Sequence, residues 1–463
     1  MTWSLAIRNL LRNRRRSLST LLALAIGAAS ILIFGGYSAN IKYSMQTAYV
    51  RSGGHLQIQH RDFYLYGSGN PTAYGIADYD KLLKTLQADT ALKPMLVVAT
   101  PTLQFGGIAG NYAAGVSRTV MGTGLVAKDV NVMRVWNEFN LPLDTPRFAL
   151  EGAAPDTAIV GIGVARVLQL CEPLAIADCP RPESETKSTG KALPADIAQL
   201  AALDAPGNPA ASPGRALIEL LASNSHGTPN VAALTVLQAE GQGFKEFDEV
   251  AVILQLAQAQ KLVYGRAPPK ASSIMVQLQH TGQIAAATAR IKELLPTAAQ
   301  KQPLAVLDFE LLNPFYVQTL QLFDTIFGFI FTLIGAIVLF TVSNTMNTAV
   351  VERTVEIGTL RSVGLRQSGI QRLFVIEGFL LGSVGALAGA LLALAVAFVV
   401  NRIDLTWLPP GSSEPLPLIL RIWSEPGMLV GTTLGLVAIA ALSAWWPAYR
   451  AARLNIVDAL RHA

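Results

Sequence analysis

Residues 350–372, VVERTVEIGTLRSVGLRQSGIQR, carry six charges in 23 residues and lie between two long apolar runs. On a helix Arg353 and Glu356 stand three apart and can pair, while Val355, Leu360 and Val363 offer apolar contacts. Gly358 and Gly364 permit close approach or a turn. Such a segment can dock on another protein, or it can rest on lipid headgroups with its bases toward anionic lipid; the residues alone leave both readings open. Little else in the chain could do chemistry. No H-E-x-x-H, G-x-S-x-G or G-x-x-x-x-G-K-[ST] occurs, and Gly190–Lys191 lacks the upstream glycine and following hydroxyl of a phosphate-cradling loop. The chain is therefore expected neither to bind nor to hydrolyse ATP by itself, and no catalytic residue is assigned. The five histidines, His55, His60, His226, His280 and His462, are dispersed. His55 and His60, on one strand, would point to opposite faces, so they read as surface or strand-filling residues. Cys171 and Cys179 are eight apart and could close a small loop in an oxidising compartment, or stay as two thiols. Two cysteines without a supporting histidine cluster make a poor zinc site, and no metal is assigned.

The elements that must position the charged segment are hydrophobic. The chain has 463 residues, 51% of them apolar and 14% charged, with a mean hydropathy of +0.39, which is a membrane-protein composition. Crossing about 30 Å of hydrocarbon takes roughly 20 apolar helical residues. Four stretches qualify, at 18–40, 321–349, 373–401 and 427–447. The first continues apolar through Ile31 to Phe34, too long for a signal-peptide h-region, so it is expected to remain as a span. The second, if continuous from Asn313 to Met346, is longer than a bilayer requires and would project as a stalk. Within the third, Glu377 is costly in lipid unless it is paired or snorkels, and Gly378, Gly382, Gly385 and Gly389 form small-x-x-x-small pairs suited to a helix interface.

Basic residues set the expected orientation. Arg8, Arg12, Arg14, Arg15 and Arg16 precede the first span, Arg353, Arg361, Arg366 and Arg372 lie between the second and third, and Arg450, Arg453 and Arg461 follow the fourth. By the positive-inside rule the basic N-terminus (1–17), the 350–372 segment and the tail (448–463) are cytoplasmic. Taking those twelve bases and the acids Glu352, Glu356, Glu377 and Asp458 from the formal +5 leaves the rest near −3. The basic balance is thus a matter of topology and not of nucleic-acid binding.

Residues 41–320 have ordinary polar composition and are expected outside the membrane as a large α+β domain inserted between the first two of four transmembrane helices. A short loop at 402–426 lies on the same side. Gly54–Gln59 and Ser272–His280 alternate as half-buried strands do, and Thr281 can cap a helix with Ile284, Ala287, Ile291, Leu294 and Leu295 on one face. Phe247–Gly265 reads as a further strand and helix. Two subdomains are expected, one carrying a mobile insertion at about 180–216 that is rich in Pro, Ala, Gly and Ser.

Glu352 to Leu392, ERTVEIGTLRSVGLRQSGIQRLFVIEGFLLGSVGALAGALL, resembles the core motif of FtsX/MacB-like ABC transporter permeases, the group that includes the LolC and LolE lipoprotein-release subunits. Ala6–Ala29 is similar to that family's entry helix and Pro447–Arg461 to its ending, with Ile456 where a proline is usual. The resemblance implies that 350–372 is a coupling helix whose Glu352, Arg353, Glu356, Leu360 and Arg361 dock on a separate ABC ATPase present in two copies. It further implies a second permease copy or a homologous permease, with ATP and magnesium used by the ATPase and no cofactor bound by this chain. Motion would pass through the spans to a periplasmic domain of a bacterial inner-membrane protein, for lipoprotein release or export of a lipid-linked or other envelope substrate. The alternatives are an FtsX-like regulator of a cell-wall hydrolase and MacB-like efflux with a membrane-fusion adaptor. Membrane lipid is a partner in each case, and nucleic acid in none.

Overall fold

The computed structural model describes residues 2–12, 14–67, 69–176, 216–224, 227–243, 245–299, 302–403, 405–408 and 416–454. Cys179, His226, His462 and nearly all of the expected 180–216 insertion lie outside them. In chain order the elements are α1 (Thr2–Arg12), α2 (Arg14–Gly53), β1 (Leu56–His60), α3 (Tyr79–Ala88), β2 (Leu96–Asn111), β3 (Val116–Leu125), α4 (Ala127–Val135), β4 (Thr157–Gly161), β5 (Leu217–Ser223), β6 (Pro229–Glu240), β7 (Ala251–Gln255), α5 (Leu256–Tyr264), β8 (Ser273–Leu278), α6 (Ile284–Ala298) and β9 (Leu304–Asp308). They continue as α7 (Pro314–Glu352), α8 (Thr354–Ser362), α9 (Gln367–Val400), the short pair β10 (Thr406–Trp407) and β11 (Leu416–Pro417), and α10 (Pro426–Ala452). Contacts group these into two units, one of Met1–Ser44, Phe315–Trp407 and Leu416–Ala463, the other of Met45–Pro314 with Leu408–Pro415.

The first unit is a bundle. α2, α7, α9 and α10 are each long and apolar enough to cross a membrane. The helices overrun the expected spans: α7 has 39 residues, about 58 Å at 1.5 Å per residue against a hydrocarbon layer of about 30 Å. Inside the bundle the residues are small. Ala386, Ala440, Ala444 and Ala448 have no exposed surface, whereas Phe329, Phe340 and Leu391 are about two-thirds or more exposed on its outside. Lipid tails are as apolar as the bundle interior, so association rests on close packing and a few polar contacts, and small side chains serve that best. One such contact joins α2 to α7, where the Thr20 and Thr345 hydroxyls lie 2.8 Å apart.

The second unit is built on a nine-stranded sheet in the order β3-β7-β4-β6-β5-β2-β8-β1-β9, with β3 pairing back to β2. That extra pairing closes six strands into a ring. Leu103–Asn111 of β2 pair with β3 inside the ring, and Leu96–Thr102 of the same strand pair with β8 in a four-stranded open sheet. Each half has its own core. Leu103, Phe105, Val160, Leu220 and Leu254 fill the ring side, while Leu56, Ile58, Ile274 and Val276 pack against α3 and α6 on the other.

Two local expectations need correction. β8 is buried on both faces and not half-buried: Ile274 and Val276 pack under α6, and on the other face the Gln277 amide nitrogen donates to the carbonyls of Val50 (3.2 Å) and Met133 (3.1 Å). Thr281 does not cap α6. Its hydroxyl donates to Glu138 at 2.8 Å, and the turn entering the helix is closed by the Gln283 side chain accepting from the His280 N–H at 3.2 Å.

Candidate functional site

The charged segment forms a separate short helix, α8, set off from α7 by a break at Arg353. Gly364 ends it. Its φ of +103° is a conformation that side chains rarely adopt, and the N–H groups of Gly364 and Leu365 return to the carbonyls of Arg361 (3.1 Å) and Leu360 (3.0 Å).

The expected Arg353–Glu356 pair does not form. Arg353 is 6% exposed; its Nη1 donates to Glu377 of α9 at 3.0 Å and its Nη2 to the Asn9 carbonyl of α1 at 3.1 Å. Glu377, 1% exposed, also accepts from the Asn9 side chain at 2.7 Å. A lone carboxylate there would carry a heavy desolvation cost; two donors and an opposite charge offset it. Arg353 is thus turned inward, where pairing with Glu377 spares both groups a buried unpaired charge.

The other predicted residues lie nearer the surface. Glu356 pairs with Arg12 of α1 at 2.7 Å, with both side chains about half exposed, and Glu352 pairs with Arg16 at the start of α2. Arg361 donates to the Leu454 carbonyl beyond α10, and Leu360 is 38% exposed beside Val355 (38%) and Val363 (84%). Ile357, three residues before Leu360, is 3% exposed within the bundle core. The short helix therefore has an inner face locked to α1, α9 and the chain beyond α10, and an outer face of apolar side chains flanked by charge.

Gly378, Gly382, Gly385 and Gly389 of α9 face neighbouring helices of the same chain. A Cβ at Gly378 or Gly382 would lie 2.4 or 2.7 Å from Ala444 or Ala440 of α10, and one at Gly385 or Gly389 would meet Leu24 or the Ala25 carbonyl of α2 at 2.5 or 2.4 Å. Of the two cysteines, Cys171 is disulfide-bonded, and Cys179 lies outside the described residues.

His55 and His60 do differ in environment. His55 has no exposed surface; its Nδ1 accepts from the Leu278 N–H at 3.0 Å, and its ring meets Trp136 edge-on at 4.9 Å. Burial pushes its pKa down to about 4, against a smaller upward pull from Glu138. It is a neutral structural acceptor. His60, partly exposed, accepts from the Asp62 N–H.

Asn9, which the sequence reading passed over, and Arg12, read there only for its charge, both contact the residues of the charged segment or their partners. Ala6, Asn9 and Leu10 share one face of α1, and an asparagine on a buried helical face is a signal of its own.

Residues 325–456, which take in most of α7 and all of α8, α9 and α10, match the FtsX-like permease C-terminal family and form an FtsX-like permease domain. The chain is 24% identical over 245 residues to the lipoprotein-releasing system transmembrane protein LolC of Xylella fastidiosa (strain Temecula1), covering 50% of this chain and 56% of that protein. It is 38% identical over 143 residues to the macrolide export ATP-binding/permease protein MacB of Escherichia coli (strain K12), covering 31% of this chain and 20% of that one. The chain thus spans about half the length of the first relative and a fifth of the second. The periplasmic region of MacB from Actinobacillus actinomycetemcomitans aligns with 57% of this chain and 94% of its own at 12% identity and a TM-score of 0.29.

Proposed function

From an FtsX-like permease domain at residues 325–456, we propose that this chain is the transmembrane permease subunit of an ABC transporter and passes the motion of a separate ATPase to its sheet unit. The observation that carries the reading is the construction of α8. Its exposed Leu360 is a surface anchor for a groove, and its inner face is clamped by Arg353 to Glu377 and Asn9. A push on a loosely tethered helix would be lost in local movement. Here it would reach α1 and α9 directly, and Arg12 and Arg16 would carry it to the start of α2.

In this reading two ATPase subunits bind ATP and magnesium, two permease subunits face each other, and the termini and α8 are cytoplasmic in a bacterial inner membrane. The sheet unit is periplasmic and acts on a lipoprotein or another lipid-linked envelope substrate. LolC, to which the chain is similar over 245 residues, is named for lipoprotein release, which supports that substrate class.

Leu360→Glu tests the coupling. The variant is expected to fold, since a half-exposed surface change typically costs within about 0.5 kcal/mol, but to lose its ATPase on purification in mild detergent and with it substrate-stimulated ATP hydrolysis. Retention of a fully active ATPase by the variant would overturn the assignment. The material recovered with the wild-type chain defines the role further: a second permease or lipoprotein for release, a membrane-fusion adaptor for efflux, a peptidoglycan hydrolase for regulation.

A further inference from the structure

The sheet unit holds a cavity of about 600 Å³ where β2 passes from the open sheet into the ring. That is the size of a small-molecule site. Met121, Leu125, Phe148 and Met275 give it apolar walls, and Arg51, Arg134, Glu240 and Asp144 bring charge. These charges are not equivalent. Arg134 is satisfied: its Nη2 donates to Glu240 at 2.6 Å and its guanidinium lies over the Phe148 ring at 4.7 Å. Asp144 is exposed to solvent. Arg51, in the last turn of α2, has its Nε and Nη2 cut off from solvent and without a hydrogen-bond partner among the described residues.

Those two nitrogens form the side-on edge of a guanidinium, which matches the two oxygens of a carboxylate or phosphate. The same unit shows what that edge does when occupied. Arg290 grips Asp89 with Nε 3.2 Å from both oxygens and Nη2 2.7 Å from Oδ2, and these hydrogen bonds hold the Asp89 carboxyl down at about 2. Leaving such an edge buried and unpaired is costly, so a ligand oxyanion is the natural complement. Glu240 adds a second demand. Its Oε2 is also buried without a partner, and it calls for a hydroxyl or amine hydrogen next to the oxyanion.

We propose that Arg51 and Glu240, which line this cavity, turn these unpartnered atoms into it and there bind an amphiphile whose head carries an oxyanion on Arg51 and a neighbouring hydrogen-bond donor toward Glu240, with its apolar body along Met121, Leu125, Phe148 and Met275. The site is independent of the coupling reading. It uses no part of α8 and requires no ATPase.

The test uses the full chain in phosphatidylcholine nanodiscs and a lysophosphatidate with a photoreactive tail, which combines phosphate, a free hydroxyl and an apolar chain. Cross-links are expected in peptides containing β3 or residues 240–253, falling about ten-fold or more in Arg51→Gln, in keeping with the loss of a charge-assisted hydrogen bond. Met121→Trp, a change at a half-exposed strand position that fills the cavity, should reduce labelling similarly and guards against a folding effect at Arg51. A monoacylglycerol with the same tail and no phosphate should label these peptides weakly. Unlabelled lysophosphatidate should compete and glycerol phosphate should not. Cavity labelling that persists in Arg51→Gln, equal labelling by the neutral probe, equal competition by glycerol phosphate, or labelling confined to the spans would each overturn the proposal.

Discussion

Glu377 in the bundle and His55 in the sheet unit are both sealed from solvent, at 1% and 0% exposure, yet they are accommodated in opposite ways. Glu377 is given a counter-charge from Arg353 and a donor from Asn9. His55 is kept neutral, because the Leu278 N–H presses a donor onto its Nδ1 and leaves no place for a second proton there. The bundle uses its buried group to bind elements from distant parts of the chain. The sheet unit uses its own to complete a strand end. A buried ion pair is expensive and specific, and it stands where a rigid joint is required; a buried neutral ring is cheap and local.

The comparison can be broken first at the pair. Glu377→Leu leaves Arg353 buried without its counter-charge and should destabilise the bundle by about 3–5 kcal/mol, whereas adding Arg353→Met should restore most of the loss. Detergent-induced unfolding of both variants measures this, and an equal loss in the double variant would show that the pair is not the joint. His55 comes next. Its folded pKa of about 4 lies below the ordinary 6.5, so the unfolded chain takes up the proton first as the pH drops. The stability of the sheet unit is complete above about pH 6.5 and should fall by about 3 kcal/mol by pH 4. Urea unfolding across that range should show the slope, and His55→Asn, which retains an acceptor and does not titrate, should flatten it. The smallest effect is expected at the Arg12–Glu356 pair, with side chains 53% and 51% exposed. Arg12→Ala should cost less than about 1 kcal/mol, and that cost should shrink further in high salt.

Hydropathy and arginine placement made the four long helices and the charged helix between them legible, because lipid allows a polar backbone few other arrangements. The partners of that helix were not. Arg353 and Glu356 look like neighbours on one helix, but α7 breaks at Arg353 and sends its side chain to Glu377, 24 residues on, in preference to a surface partner three residues away. Spacing along a sequence reports only contacts made within one element. The same limit hid the cavity, since Arg51 closes a helix read as a span while Arg134 and Glu240 belong to elements far along the chain. β8 was misjudged for a related reason: alternation of side chains does not reveal what covers each face of the sheet.

The position of β1 also governs when the sheet unit can come into being. Leu56 pairs with Val276 on one side and with Asp308 on the other, so both neighbours of the first strand are translated more than two hundred residues after it. As the chain is made, α2 is followed by a strand with two open edges, which must stay unpaired until nearly the whole unit has emerged. Strands of the ring pair over shorter separations, β2 with β3 directly across a turn. The ring can therefore assemble early, and the open sheet that carries both ends of the unit is completed last, after synthesis of α7 is already under way.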